Sequence, residues 1–224
     1  VSPAHMNSFK SIENIIKTKE EILSYQGYSK TVILSLDDDN FERWSLKANK
    51  NKIITISISQ FADYYISSSN DHDICVKTPY SDIINLYVND LEPHTLNNIL
   101  FSIALSYEAG ARSPNVIKGL HNYNDVDGRF GIKKGYNGSK VIDSSYNANP
   151  QSFIASINSL VRLDCEPWLV MGEMGELGEN SELYHKQVAR YAYDMGVKKL
   201  FVISKHANTI LDEFGQNSYA FDST

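Results

Sequence analysis

Cysteine is nearly absent: Cys75 and Cys165 are the two in 224 residues. They stand far apart, each beside apolar or strand-like sequence. Neither a disulfide framework nor a zinc site is indicated, and both are read as buried free thiols in a reducing compartment. No apolar run approaches the roughly 18 to 20 residues that a membrane-spanning helix needs, which excludes a helical membrane protein. An excess of positive charge is missing too. Lysine and arginine total 21 against 27 aspartates and glutamates, a formal net charge of −6, whereas a protein that grips nucleic acid by its phosphates needs clustered basic residues. Small molecules or proteins are therefore the expected partners, with no nucleic acid. Position 1 is not methionine, and no basic segment followed by an apolar one opens the chain, so no secretory leader is read. The start "VSPAHMNSF" has the texture of a domain interior, and "SYAFDST" stops just after an expected strand. The chain is expected to be a portion of a longer, cytoplasmic protein. Repeats and low-complexity segments are also lacking.

What is present points to two domains, the better prior at this length. Residues 11–24, "SIENIIKTKEEILS", read as a helix with Ser11 as N-cap and Glu13 in the first turn. Ile12, Ile15, Ile16, Ile22 and Leu23 form an apolar stripe whose central slot is filled by Lys19, while Lys17, Glu20 and Glu21 fall on the polar side. A lysine in such a slot more often snorkels than reacts. "KTVILSL", "NKIITISIS", "DYYISSS", "DICVKTP" and "INLYV" read as strands. "HTLNNILFSIALSYEAGA" reads as a helix with Leu96, Leu100, Ile103, Ala104 and Tyr107 on one face and Gly110 as its stop. A shorter helix follows from about Pro114 to Leu120. From Lys140 onward strand, polar loop and helix alternate, which predicts right-handed crossovers and a parallel sheet in three layers. The domain boundary is placed near Gly128 to Gly131.

Two polar stretches fall at the carboxyl ends of expected strands, where α/β sheets bind ligands. "VIDSSYNANPQSF" packs more hydrogen-bonding side chains into one turn than a turn requires, and Pro150 suits the first position of the following helix. Capping accounts for one of its asparagines. "GEMGELGEN" has glycines at every third residue, which is not the GxGxxG dinucleotide fingerprint. Its acids Glu173, Glu176 and Glu179 repel phosphate and attract an ammonium group. His185, near the buried face of its helix, reads as a packed histidine rather than a catalyst.

These stretches carry a resemblance. "VIDSSYNANP" resembles the "DDSYNANP" of Mur ligases that add D-alanyl-D-alanine, and "VMGEMGELGENSELYH" resembles the same group's "GDMxELGxxSxxxH". "SPAHMNSFKSIENIIKTKEEI" is similar to "xPAHLExFGSxExIAxAKxEI", and "EPHTLNNIL" to "GxHNxxNxL". The resemblance covers nearly the whole chain. The family's GxxxxGK[ST] phosphate loop and its uridine-binding domain have no counterpart in the sequence. The implied fold class is α/β: residues 1–129 as the later part of a Mur ligase central ATPase domain, and residues 130–224 as a Rossmann-like, parallel α/β C-terminal domain.

The resemblance alone also implies a role for single residues and a reaction. By it, Lys19 is carbamylated by CO2, and with His5 it helps hold Mg2+. His94 and Asn98 contact the adenine of ATP, Arg129 its phosphates or ribose, and Asp143 belongs to the ATP site. Tyr146, Asn147 and Asn149 position the carboxylate of a UDP-MurNAc-tripeptide, while Glu173 and Glu176 receive the amine of D-Ala-D-Ala. The implied catalytic residues are Lys19 and Arg129, and the protein acts as a monomer. The implied reaction is ATP-dependent amide formation through an acyl phosphate in peptidoglycan precursor synthesis, and residues 1–224 alone are expected to be inactive. Thr95, Glu92, Ser144 and Glu173 depart from the family pattern. Two alternatives remain: another amide ligase of the superfamily, of folylpolyglutamate or cyanophycin type, or a degenerate ligase-like binding module.

Overall fold

The computed structural model describes residues 6–24, 31–70, 72–88, 91–122, 128 and 131–222. Its backbone divides into two units, residues 16–124 and residues 125–224 together with 1–15. Helices α1 (Met6–Phe9) and α2 (Ile12–Ser24) come first. The Ser11 hydroxyl accepts the Asn14 N–H at 3.2 Å, which starts α2 as expected.

The stripe on α2 is not buried as its spacing predicts. Lys19 is exposed and Ile22 is 78% exposed, whereas Glu20 is only 2% exposed. The reason is a helix that the sequence pattern does not announce, α3 (Phe41–Lys47). Arg43 and Lys47 stand four apart on it, hence on one face. Both grip the Glu20 carboxylate, Arg43 through Nε and Lys47 through Nζ at 2.7 Å. The Lys47 hydrogen bond, ahead of that from Arg43, holds the Glu20 carboxyl below the usual glutamate range.

The expected strands all form: β1 (Thr31–Ser35), β2 (Lys52–Ser57), β3 (Tyr64–Asn70), β4 (Asp73–Lys77) and β5 (Ile83–Tyr87), in that spatial order. β1, β2 and β3 are parallel, and β3, β4 and β5 form an antiparallel meander. Each pattern follows from the residues. "TVILS" and "KIITIS" are β-branched and nearly continuous, as strands covered on both faces are. In β4 and β5, buried Ile74, Val76, Ile84 and Leu86 alternate with more exposed neighbours. Past β1, Asp37 accepts the Ser57 and Ser59 hydroxyls at 2.8 and 2.6 Å and the Ile58 N–H at 2.7 Å, stitching the carboxyl ends of β1 and β2 together. Helix α4 (Pro93–Glu108) buries Leu96, Leu100, Ile103, Ala104 and Tyr107, the expected face, into the same core as Ile56 and Ile84. Helix α5 (Ser113–His121) follows.

In the second unit β6 (Gly131–Lys134) pairs antiparallel with β7 (Lys140–Asp143). This corrects the expectation that β7 belongs to a parallel sheet. The turn between them is too short for a crossover, and antiparallel pairing is what a tight connection permits. After α6 (Pro150–Val161), the chain runs β8 (Trp168–Met171), α7 (Ser181–Asp194), β9 (Lys199–Val202), α8 (Ala207–Phe214) and β10 (Ser218–Ala220). These three strands are parallel, in the order β10, β9, β8. Helix α7 packs beside both α6 and α8. Val188, Ala189 and Ala192 of α7 and Ile210 and Phe214 of α8 close over Met171, Leu200 and Val202. The thiols differ from expectation as well: Cys75 is half-buried and Cys165 is exposed.

Leu100→Ala is expected to destabilise residues 16–124 by about 2–5 kcal/mol, since Leu100 is wholly buried. Urea unfolding followed by Trp44 fluorescence in a Trp168→Phe background measures it.

Candidate functional site

The loop after β7 is held at four points. Asp143 accepts the Ser145 hydroxyl at 2.7 Å and its N–H at 3.2 Å, and pairs with Lys133 of β6 at 3.1 Å. The Ser145 hydroxyl first, and then Lys133, keep the Asp143 carboxyl below the usual aspartate range. The Ser144 hydroxyl meets Ser156 of α6 at 3.0 Å. Asn149 caps α6: its Oδ1 accepts the Ser152 N–H at 2.9 Å, while its own N–H goes to the Ser152 hydroxyl at 3.0 Å. At the fourth point the Tyr146 N–H donates to the Gly128 carbonyl at 3.0 Å. Gly128 has φ +78°, and a Cβ there would lie 2.9 Å from the Tyr146 nitrogen, so glycine is required both for conformation and for space. Tyr146 and Asn147 are left exposed.

The loop after β8 is pinned by its apolar residues. Met171, Met174 and Leu177 recur at every third position and are buried in the core, which turns Glu173, Gly175 and Glu176 outward. Glu176 takes φ +60°, a left-handed conformation that few non-glycine residues adopt. His185 of α7 secures the loop from beneath. It is 0% exposed, its Nε2 accepts the Met174 N–H at 2.9 Å, and its Nδ1 meets the Ser181 carbonyl at 2.7 Å. Those partners require the neutral tautomer with the proton on Nδ1, and burial pushes the imidazole pKa down accordingly. Glu173 accepts the Ser204 hydroxyl at 2.5 Å and pairs with Lys205 at 3.1 Å. Partial burial pushes its carboxyl up, but the hydrogen bonds from Ser204 and Lys205 outweigh this and leave it below the usual range.

The two loops meet in a cleft of about 350 Å³, lined by residues 145–148 of the first and by Glu173, Gly175 and Glu176 of the second. It gathers four residues singled out in the sequence: Tyr146, Asn147, Glu173 and Glu176. Asn149 caps α6 through its Oδ1 and is not among the residues that line it, nor is Asp143. Lys19, His94 and Asn98 belong to residues 16–124 and are exposed there. His94 and Asn98 stand one turn apart at the start of α4, with Thr95 Oγ1 3.3 Å from His94 Nε2. His5 and Arg129 lie outside the described residues. Sequence reasoning missed Ser204 and Lys205, whose signal was their place just after β9, at a carboxyl strand end. Among the described residues no helix is long and apolar enough to cross a membrane.

Two family models match. The Mur ligase middle domain matches residues 1–106, and the Mur ligase glutamate ligase domain matches residues 128–223. The chain belongs to the Mur ligase family. Among Mur ligases, the UDP-N-acetylmuramoyl-tripeptide–D-alanyl-D-alanine ligase of Buchnera aphidicola is 28% identical, over 96% of this chain and 49% of that protein. The crystal structure of MurF from Acinetobacter baumannii superposes with a TM-score of 0.87 at 22% identity, over 100% of this chain and 49% of that one. MurF from Thermotoga maritima, solved in complex with ADP, gives 0.81 at 21% identity, over 100% and 51%. These likenesses bear out the expected Mur ligase fold. The chain spans about half the length of the curated relatives it matches.

Two outcomes test the geometry of this Mur ligase site. Asn149→Ala is expected to lower stability by about 0.5–2 kcal/mol through loss of the α6 cap, read from thermal melting. The folded chain resists protonating His185, whereas the unfolded chain protonates it at the ordinary value of 6.5. The contribution of neutral His185 is therefore complete above that value and is lost as pH falls through the lower, folded pKa. The urea midpoint reported by Trp168 is expected to drop on acidification, and His185→Asn is expected to remove that part of the slope.

Proposed function

We propose that the full-length protein to which this chain belongs is an ATP-dependent ligase that joins D-alanyl-D-alanine to UDP-MurNAc-tripeptide. The peptide bond forms through an acyl phosphate, in the cytoplasm, during the peptidoglycan precursor synthesis that supports cell shape and division. In this reading residues 1–129 are the later part of the central ATP-binding domain, residues 130–224 belong to the C-terminal ligase domain, and the enzyme is a monomer. The observation that carries it is the cleft in which the two Mur-like loops put Tyr146 and Asn147 together with Glu173 and Glu176.

The chemistry rests on the side chains. The carboxylates of Glu173 and Glu176 draw in the dipeptide's ammonium end, and the Tyr146 hydroxyl and Asn147 amide hold the tripeptide carboxylate, which takes the γ-phosphoryl group of ATP before the deprotonated amine attacks the acyl phosphate and displaces phosphate. On α4, Asn98 offers both a donor and an acceptor to a purine edge, with His94 beside it. Asp143, kept ionised, belongs to the ATP site, and Arg129 supplies fixed charge for the phosphates or hydrogen bonds to the ribose. Lys19 is exposed, so its amine is open to CO2, and a carbamate there supplies oxygens of the kind magnesium prefers. Among the described residues no group of three or more His, Cys, Asp and Glu gathers to hold a metal. By the family resemblance Lys19, with His5, would be this chain's contribution to that site, and the ion would neutralise phosphoryl charge.

Phosphate release by the full-length protein is the test, with ATP, magnesium, D-Ala-D-Ala and UDP-MurNAc-tripeptide present and each omitted in turn. Release that needs both acceptor and donor is expected, and release that ignores either one sinks the proposal. Lys19→Ala is expected to lower turnover by about 10²–10³-fold. Residues 1–224 alone, which contain no GxxxxGK[ST] loop, are expected to release none.

A further inference from the structure

A second cleft, of about 530 Å³, opens at the carboxyl ends of β8, β9 and β10 and is lined by Glu173, Ile203, Ser204, Lys205, Phe221 and Asp222. Glu173 lines both clefts. Together the lining residues carry three acids, Glu173, Glu176 and Asp222, and one cation, Lys205. An ammonium group can be met by any of the three carboxylates. Among these lining residues Lys205 is the one that can meet a carboxylate with a positive charge.

Lys205 is placed for that role. Its side chain is 70% exposed and its Nζ lies 3.1 Å from Glu173 Oε1. A pair so open to water is held weakly, so Nζ can turn to an incoming carboxylate. Glu173 is not stranded by the change, because its other oxygen keeps the Ser204 hydroxyl at 2.5 Å. Phe221, half-exposed at 51%, adds apolar surface in the same cleft. Asp222 disfavours an anion anywhere there except against Lys205.

Resting on the function proposed above, we infer that this second cleft is the subsite for the far end of the amine substrate. Lys205 reads the substrate's free carboxylate, and Phe221 is the apolar wall beside it. A zwitterionic dipeptide lies with its ammonium at the Glu173 and Glu176 carboxylates and its carboxylate at Lys205. An amine that lacks the carboxylate satisfies only the first half of the site.

Steady-state kinetics of the full-length protein with ATP and UDP-MurNAc-tripeptide, comparing D-alanyl-D-alanine with D-alanyl-D-alaninamide, decide the matter. The wild type is expected to show a KM about tenfold lower for the acid than for the amide. Lys205→Met is expected to raise the KM for the acid about tenfold, to leave that for the amide within about twofold, and to spare kcat. Lys205→Arg, which keeps the charge, is expected to retain the preference. Equal loss with both dipeptides would mean that Lys205 only arranges Glu173, and that result overturns the inference, as does no loss with either. Equal use of both dipeptides by the wild type overturns it while leaving the ligase reading intact. A wild type that turns over neither dipeptide overturns the ligase reading, and the inference with it.

Discussion

The candidate cleft depends on one neutral imidazole. His185 is wholly buried, and its partners leave its nitrogens no choice of role: Nδ1 donates to the Ser181 carbonyl while Nε2 accepts the Met174 N–H. A backbone N–H turned into a protein interior must find an acceptor. This one finds it on the helix that follows the loop, so the strand, loop and helix become one rigid corner. With Met174 fixed there, Met171 and Leu177 anchor in the core on either side. Glu173 and Glu176 then have only the cleft to face. The left-handed backbone at Glu176 is held by the same anchoring, since Leu177, the next residue, is buried.

Around this corner the chain repeats a single electrostatic device. Asp143 is held by the Ser145 hydroxyl and Lys133, Glu173 by the Ser204 hydroxyl and Lys205. Each carboxylate stands at or just past the end of a strand, and each is kept ionised by a hydroxyl and an ammonium group rather than by exposure alone. Hydrogen bonds to the charged form are what lower a carboxyl pKa. In residues 16–124, Asp37 achieves a similar tie with two hydroxyls and an N–H, and Glu20 with two cations. Glu173, Asp37 and Glu20 in this way join elements distant in sequence, where side chains must find polar partners.

Much of this was legible in the residues. The buried face of α4 follows from apolar spacing alone, and the five expected strands of residues 16–124 all form, because long or strongly β-branched segments tolerate little ambiguity. The cleft residues Tyr146, Asn147, Glu173 and Glu176 stood out because polar side chains crowd the ends of two apolar strands. The α2 stripe misled for a physical reason. Helical periodicity specifies which residues share a face, but not what that face meets, and Arg43 and Lys47 on an unforeseen short helix drew Glu20 inward. Asn149 was ambiguous because the same amide serves a cap or a ligand, and only the position of Ser152 shows that its Oδ1 caps α6. The strand β7 was read as parallel because its own residues do not record which neighbour it will pair with.

The sequence by itself determined most of the elements, the buried face of α4 and the membership in the Mur ligase family, since these rest on local spacing and on motifs contiguous in the chain. Tertiary structure alone decided which carboxylates are clasped and by what, that His185 stays neutral, and that Lys205 stands as the cation where two clefts share Glu173. The ties between His185 and Met174 and between Glu173 and Lys205 join residues 11 and 32 positions apart in the chain, at distances that only packing sets.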